Sequence, residues 1–512
     1  MTSESRLPLV EIDLTDPGLF GNDAAEDERE DVFNSYAFER SELGAFSDQK
    51  RPLCIARAYK GEGKSALLRL AHRRIKQGKA KPIVVARTAS ELAPEVTRDD
   101  YATWTRAWKA AILDILAREI GTQIDVAWTD DAMALVEEAE KTGYRSRTFV
   151  SAIWDRLKLP KINVGGVEAD LPERVVLGVT NAERIVRRWV ADKVDLWLFV
   201  DDVDKNFLNN ETNRIRVGSF FDACRELINS IPELHIRTAI RPNVWAIARL
   251  EFESLSHVEQ YTVDLQWSES DTRTLLFRRI RGYLQRCASW AQVERALRGR
   301  DEDNEKDVIG LVFESPMKWG RGSSRPPHVV LYTLSKHRPR WMIELSKAAA
   351  VGAARRQHRH ISHEDLTAEL ETFGHRRVQD TVAEFRAQCP ELDEIITAFN
   401  RAPEQFATDE LLKLIENKIL THLNPRISGV TGKPSALQVA ALVFEVGLIY
   451  GRRDQPDGSY KHISFADRPA LLKSRADPDQ GLIWEVHPVY RQALEMRDAE
   501  GFERQASRRG RE

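Results

Sequence analysis

A glycine-rich segment at positions 58–65 has the clearest chemistry in the sequence. It reads Ala-Tyr-Lys-Gly-Glu-Gly-Lys-Ser, follows the apolar run 53–56 and precedes a stretch with helical spacing. Glycine adopts positive φ readily, so Gly61 and Gly63 would let backbone N–H groups turn inward around an anion. The positive end of the following helix would add to that attraction. The pattern therefore predicts a phosphate-binding loop between a strand and a helix.

Two side chains of this segment suit a nucleoside triphosphate. Lys64 would reach the β- and γ-phosphates, and the Ser65 hydroxyl would ligate Mg²⁺. The full pattern has glycine where this chain has Ala58, and because alanine is the smallest replacement we expect a slightly altered loop that still works. The predicted cofactors are ATP and Mg²⁺. The residues predicted to bind the nucleotide through the loop are Lys60, Gly61, Glu62, Gly63, Lys64, Ser65 and Ala66.

A second motif is an apolar run at 196–200 that ends in two carboxylates, Asp201 and Asp202, with Asp204 just beyond. The carboxyl ends of parallel strands face the ligand crevice of such a sheet. Asp201 is predicted to hold Mg²⁺ through water, and Asp202 to orient or deprotonate the attacking water. Alone, the motif also fits a solvated turn. Its position downstream of a phosphate loop favours the metal site.

Short apolar runs alternate with amphipathic stretches between residues 51 and 267. The runs at 53–56, 82–86, 195–200 and 234–240 read as strands, and the stretches at 66–75, 101–120 and 217–231 as helices. This alternation predicts an α/β fold with a parallel sheet covered on both faces. From 268 the pattern is mostly helical. A later run at 442–450, a turn with Pro456, Asp457 and Gly458, and a strand-like 460–465 suggest a winged helix.

Composition limits the class of protein. The 512 residues are 42% hydrophobic and 30% charged with a net charge of −3, which fits a globular chain of two to four domains without a global basic field. No long apolar run or secretory signal is visible, and the four cysteines are scattered, so we expect a reduced, cytoplasmic protein without a membrane segment. The spacing of His358, His360 and His363 fits no standard zinc pattern.

The order of these features resembles the STAND and AAA+-related P-loop ATPases, over roughly residues 51–494. Within that group the chain looks like bacterial ATPases whose acidic motif reads Asp-Asp-x-Asp, as 201–204 does. The resemblance implies a P-loop NTPase sheet with a helical lid and a C-terminal winged-helix domain. With the sequence pattern, it divides the chain into an N-terminal arm at 1–50, an ATPase core at 51–267, a helical lid at 268–385, a winged-helix-like domain at 386–500 and a basic tail at 501–512. The arm is helix-like around 32–46. The core contains a helical insertion at about 121–180.

The resemblance also implies arginines that sense the nucleotide. Residues 238–241 look like the STAND sensor strand, in which Arg241 would contact the γ-phosphate region; a surface arginine at a strand end is the alternative. Residues 337–340 precede an apolar helix and resemble the AAA+ lid, where Arg340, or in second place Arg338, would reach the phosphates. A basic face of that helix is the alternative. Asp202, Arg241 and Arg340 form the predicted catalytic set.

His487 is a further nucleotide-binding candidate that the resemblance implies. Residues 484–488 faintly resemble the MHD motif of NB-ARC proteins, whose histidine contacts the ADP phosphate. The chain departs from that motif, since Val486 and Pro488 replace its methionine and aspartate. The alternative is a structural histidine between a strand and a helix.

Three hypotheses for function remain open. The first is a nucleotide-driven ATPase switch, for which the resemblance implies signalling or anti-phage defence with a protein partner or effector, and leaves homo-oligomerisation open. The second is a DNA-acting ATPase, such as a loader or a repair or transposition helper, supported by the basic stretch 321–360 and the winged helix, with Arg452, Arg453 and Lys461 on the wing as alternative contacts. The apolar candidate recognition segment 437–447 counts against it. The third is a scaffold that keeps nucleotide for structure.

Overall fold

The computed structural model describes residues 10–78, 81–123, 179–191, 194–297, 304–319, 323–455, 460–474, 476 and 478–497. The chain divides into two compact units. The sheet unit comprises residues 39–59 and 64–265, and the helix-rich unit comprises 1–38, 60–63 and 266–512. Most of the predicted insertion at about 121–180 and the whole tail at 501–512 lie outside the described residues. The domain boundaries drawn from the sequence stay predictions.

The N-terminal arm contains two short helices where the sequence suggested one helix-like stretch at 32–46. Helix α1, Glu30–Tyr36, belongs to the helix-rich unit, and α2, Ser41–Ser47, belongs to the sheet unit. The backbone is extended at Ala37 and again at Arg40, which ends the first helix and separates it from the second. The helix-like stretch is therefore two short helices with extended residues between them.

A five-stranded parallel sheet in the order β2-β3-β4-β1-β5 organises the sheet unit, which confirms the predicted α/β fold class. Its strands are β1 Leu53–Arg57, β2 Ile83–Thr88, β3 Leu196–Asp201, β4 Leu234–Ile240 and β5 Thr262–Asp264. Its further helices are α3 Lys64–Lys76, α4 Ala89–Leu92, α5 Tyr101–Gln123, α6 Val179–Val190, α7 Glu211–Ser230 and α8 Pro242–Glu251, followed by short 3₁₀ turns at Glu253–His257 and Glu259–Tyr261.

Burial explains which strands are central. Every residue of β4 is buried, including the polar His235, Arg237 and Thr238, and so are the first five residues of β3, as expected of parallel strands that are covered on both faces. Helix α7 begins at Glu211, six residues before the predicted start at Val217. The Asn210 side chain accepts a hydrogen bond from the Asn213 N–H at 2.8 Å and so caps a polar first turn that carries no apolar signal.

Helices dominate the other unit. They are α9 Glu269–Arg286, α10 Trp290–Leu297, α11 Asn304–Ile309, α12 Pro327–Leu334, α13 Pro339–Arg355, α14 His363–Phe385, α15 Leu392–Thr397, α16 Thr408–Ile415, α17 Ala436–Glu445 and α18 Pro488–Arg491, with a π-helical turn at Glu416–Leu420. Pro339 stands in the first turn of α13, and Ser362 and Asp365 form a capping box on α14. A two-stranded ribbon pairs β6 Met317–Trp319 with β7 Ser323–Arg325.

A four-stranded antiparallel sheet near the C-terminus has the order β10-β9-β11-β8. Its strands are β8 Gln405–Phe406, β9 Ile449–Asp454, β10 Tyr460–Ile463 and β11 Ile483–Val486. Helix α17 followed by β9 and β10 has the order expected of a winged helix. The predicted run at 442–450 is divided, because Gly447 with φ of 69° ends the helix before the strand begins. Residues 456–458 of the predicted turn lie outside the described residues.

Candidate functional site

The backbone of the phosphate loop has the conformation that its glycines allow. The loop lies between β1 and α3, and Gly61 and Gly63 have φ of 86° and 96°. A side chain is strained in this left-handed region, so both positions favour glycine. Lys64 is the first residue of α3, and its Nζ donates a hydrogen bond to the Ala58 carbonyl at 2.7 Å.

Ala58, the departure from the glycine of the full pattern, has a packing explanation. The residue is 1% exposed and belongs to an apolar cluster of the sheet unit that includes Cys54, Leu67 and Phe199. Its N–H donates to the Ile240 carbonyl at 3.2 Å, which continues the pairing of β1 with β4. The extra methyl group therefore fills core space beneath the loop.

Ser65 and Asp201 meet within the sheet unit. The Asp201 carboxylate accepts hydrogen bonds from the Ser65 hydroxyl and, at 2.8 Å, from the Asp202 N–H. Burial raises the pKa of Asp201, against the lowering effect of these hydrogen bonds and of the Lys64 charge. A hydroxyl and a carboxylate in contact are the hard oxygen donors that Mg²⁺ takes, so the two residues fit the predicted ion.

Asp202 follows β3 in a left-handed conformation, with φ of 60°. The turn directs its carboxylate to Lys205, whose Nζ lies 3.2 Å away, and leaves the Asp202 side chain 43% exposed. An exposed carboxylate beside a buried one fits the division of labour that the sequence suggests, with Asp201 for the ion and Asp202 for water. Both roles stay predictions.

Arg241 is held by Asp204, which the sequence marked only as a third carboxylate. The Asp204 carboxylate accepts hydrogen bonds from the Arg241 backbone N–H at 2.8 Å and from Nε at 2.6 Å, and the Asp204 carbonyl accepts from Nη2 at 2.6 Å. Asp204 is buried. The arrangement fixes a guanidinium just after β4 within the sheet unit, and its role as a sensor stays a prediction.

The Lys60 backbone is bound by two side chains of the helix-rich unit. The Lys60 N–H donates to Glu384 Oε1 at 2.8 Å, and the Lys60 carbonyl accepts from Arg338 Nη1 at 3.3 Å. Arg338 also donates to Glu384 Oε2 at 2.8 Å. Arg338 and Glu384 are an almost fully buried ion pair, with side chains 6% and 1% exposed. Both peptide groups that flank the Lys60 Cα are thus bound by this ion pair.

Glu384 is the functional candidate that sequence reasoning missed. It lies 324 residues from Lys60 and belongs to no motif, so no spacing rule could have found it. Burial alone would lower the pKa of Arg338, but the charges of Glu384 and Glu62 raise it overall, and the guanidinium stays protonated.

Arg340 approaches the loop through its backbone. Its N–H donates to the Gly61 carbonyl at 3.3 Å, and a Cβ at Gly61 would lie 3.1 Å from the Arg340 Cβ. Gly61 is therefore required by close approach as well as by φ. The Arg340 side chain forms ion pairs with Asp23 and Glu344, both at 3.3 Å. Each of the two arginines predicted to reach phosphate is paired with carboxylates in this structure.

His487 lies between β11 and α18, where its Nδ1 accepts a hydrogen bond from the Val489 N–H at 3.2 Å. Its ring packs near Tyr450 and Tyr490. Burial and the nearby Lys336 charge lower its pKa well below the ordinary value, so the imidazole is neutral. These contacts give His487 a helix-capping role, and its predicted phosphate contact stays a prediction.

Two further observations concern the described residues. None of their helices is long and apolar enough to cross a bilayer. Within the same part of the chain, no group of three or more histidine, cysteine, aspartate or glutamate side chains is arranged to hold a metal ion. The predicted Mg²⁺ site has a different composition, because it uses the Ser65 hydroxyl, one carboxylate and phosphate oxygens.

Comparison with known proteins gives structural similarity only. No family model matches the chain, and no curated protein does. Among solved structures, the Aeropyrum pernix ORC2 protein in ADPNP–ADP complexes is 12% identical, with 93% of this chain and 98% of that chain covered and a TM-score of 0.40. The ADP form of the same protein is 12% identical, with 91% of this chain and 95% of that chain covered and a TM-score of 0.29. Drosophila ORC bound to DNA is 11% identical, with 91% of this chain and 92% of that chain covered and a TM-score of 0.28.

Proposed function

We propose that the chain is an ATPase that works as a nucleotide-driven switch. The observation that carries the proposal is the loop between β1 and α3, with Gly61 and Gly63 at positive φ and Ser65 bonded to the Asp201 carboxylate. Backbone amides of such a loop cradle phosphate oxygens, and Lys64 supplies a cation for the β- and γ-phosphates.

The residues take distinct parts in the proposed reaction. Ser65 and Asp201 would hold Mg²⁺, which when bound offsets charge on the phosphate oxygens. Asp202 orients a water molecule whose oxygen bonds to the γ-phosphorus while the bond to the bridging oxygen of ADP breaks. Arg241 or Arg340 would offset the developing charge once released from its carboxylate partner, and Arg338 would bind the nucleotide. The setting in bacterial signalling or anti-phage defence, in the cytoplasm and with a protein partner, is proposed from the sequence resemblance alone.

Steady-state ATP turnover tests the proposal. Lys64→Ala and Asp202→Asn should each lower turnover at least about a hundredfold, because each removes a group that acts on the transition state. Asparagine is chosen because it tolerates the φ of 60° at position 202. Lys76→Ala, at the exposed end of the same helix α3, is the matched control and should retain full turnover. Turnover that survives Lys64→Ala would refute the proposal.

A DNA-acting ATPase is the second candidate. Arg453 and Lys461 lie opposite each other on β9 and β10 and are both exposed, so the hairpin presents two cations side by side. Arg452 is less available, since it pairs with Asp454 and Glu485. Helix α17 buries its apolar residues in the core, which weakens its case as a recognition helix. Turnover raised by duplex DNA would favour this candidate over the partner-dependent switch.

A further inference from the structure

A buried carboxylate binds two of the groups that the proposed function assigns to phosphate. Glu384, at the C-terminal end of α14, accepts from the Lys60 N–H with Oε1 and from Arg338 with Oε2, both at 2.8 Å. The two oxygens of the Glu384 carboxylate therefore bridge the Lys60 N–H and the Arg338 guanidinium. The Glu384 side chain is 1% exposed, so water competes little for either bond.

Carboxylate and phosphate oxygens are chemically similar ligands for these donors. Both are anionic acceptors that bind backbone N–H groups and guanidinium forks, and such charge-assisted bonds are about twice as strong as neutral ones. The Lys60 N–H has one proton to donate, and the Arg338 Nη1 is already shared between Glu384 and the Lys60 carbonyl. An incoming phosphate that binds the Lys60 N–H or the Arg338 Nη1 must therefore weaken the hydrogen bond between that group and Glu384.

The helix that carries Glu384 is also bound to the C-terminal region of the same unit. Thr381 Oγ1 lies 2.9 Å from the Tyr490 hydroxyl, and that hydroxyl accepts from the buried Lys336 Nζ at 3.1 Å. Lys336 Nζ in turn donates to the Val446 carbonyl at 3.0 Å. A change at Glu384 thus acts on a helix that contacts α18 and is linked through Tyr490 and Lys336 to the end of α17.

We propose that Glu384 competes with nucleotide phosphate for the Lys60 N–H and the Arg338 guanidinium. The carboxylate lowers the affinity for ATP, and its displacement by phosphate is the local event that links the loop to α14. This inference rests on the proposed function, because it requires the loop to bind nucleotide. Glu384 would then oppose ATP binding, whereas Lys64 and Ser65 support it.

Calorimetric titration of the full chain with MgATP tests the competition. Glu384→Gln keeps the shape and one acceptor but removes the charge, so the bond to Lys60 becomes a neutral one. The difference between charged and neutral hydrogen bonds corresponds to a Kd for ATP about tenfold lower than in the wild type. Asp380→Asn is the matched control: Asp380 is a carboxylate of the same helix, paired with Arg377 at 3.0 Å, and its replacement should leave the Kd unchanged.

The measured Kd values test the competition by Glu384 separately from nucleotide binding itself. A Kd that stays the same or rises in Glu384→Gln overturns the competition, since the carboxylate would then be structural or would position Arg338 for the nucleotide. Binding by Glu384→Gln but not by the wild type supports it. If neither the wild type nor Glu384→Gln binds MgATP, the proposed function itself is refuted. Equal affinity of the wild type and Lys64→Ala for MgATP would refute it as well.

Circular dichroism and thermal melting establish that the variants are folded. If Glu384→Gln is unfolded, Glu384→Asp replaces it. Aspartate keeps the charge and can still pair with Arg338, but it is one methylene too short to span both donors. It should also lower the Kd, by a smaller factor, and an unchanged Kd in this folded variant would overturn the proposal.

Discussion

Asp201 is costly to the fold because its carboxylate is buried. Burial raises its pKa above the unfolded value, which means that the charged form is less favourable in the folded chain than in the unfolded one. Asp201→Asn should therefore raise the melting temperature at pH 7, measured by calorimetry without nucleotide. The same variant should lose Mg²⁺-dependent ATP binding, a trade of function for stability that is common at active sites. A lower melting temperature would contradict this account.

Single residues also show what the sequence could not reveal about the site. The types and spacing of Lys64, Ser65 and Asp201 were enough to predict a phosphate loop and an ion site, because their chemistry is local to a strand and a loop. The partners that hold the other candidates come from distant positions. Glu384 binds Lys60, and Trp267 donates to the Glu62 carbonyl, through contacts that only the folded chain creates.

Helix α14 depends on a close approach to α18. A Cβ added to Gly374 would lie 2.6 Å from the Val489 carbonyl oxygen and 2.9 Å from the Ala493 Cβ, and backbone atoms cannot yield easily. Gly374→Ala should therefore lower the free energy of unfolding by about 1–3 kcal/mol, as overpacking does. Urea denaturation measures the change.

Gly352 in α13 is the matched control for that substitution. A Cβ there would meet only the ends of the Arg356 and Glu369 side chains, at 3.1 and 3.2 Å, which can move. Gly352→Ala should leave stability unchanged or raise it by up to about 1 kcal/mol, because alanine favours the helix. If Gly374→Ala keeps the same stability as Gly352→Ala, then α14 and α18 adapt to the added methyl and the prediction is wrong.

Elements were predicted well where packing alone defines them. The run at 234–240 coincides with β4 because Leu234, Ile236 and Ile240 give an apolar signal along a strand that is buried from end to end. Ends that depend on polar or glycine residues were missed. The first turn of α7 is held by Asn210, and the strand after α17 starts late because Gly447 breaks the helix, so neither boundary appears in the apolar pattern.

At the scale of the molecule, acid should destabilise the fold through histidines that the fold keeps neutral. Burial lowers the pKa of His337 to about 4, against about 6.5 in an unfolded chain. As the pH falls from about 6.5 to 4, the unfolded chain binds a proton that the folded chain refuses, so stability present above pH 6.5 is lost. His487, which is buried and neutral, acts in the same direction.

Urea denaturation at pH 7 and pH 5 measures this effect. His337→Asn is the informative variant, because asparagine tolerates the φ of 63° at this position and cannot take up the proton. It should lose some stability at both pH values, since His337 stacks on Tyr332 at 3.9 Å, but the difference between them should shrink. An unchanged difference would assign the acid sensitivity to other groups.

The contact between Trp267 and the phosphate loop has an optical consequence. The indole Nε1–H donates to the Glu62 carbonyl at 2.8 Å, and the ring lies 3.9 Å from the position that a Gly63 Cβ would take. Indole emission shifts in wavelength when the hydrogen bond at the ring nitrogen or the polarity around it changes. The chain has 12 tryptophans, so the difference in emission between the wild type and Trp267→Phe isolates this one. Trp267 is therefore an intrinsic fluorophore in contact with the loop, and its emission after rapid mixing with ATP can report changes at the loop without an attached dye.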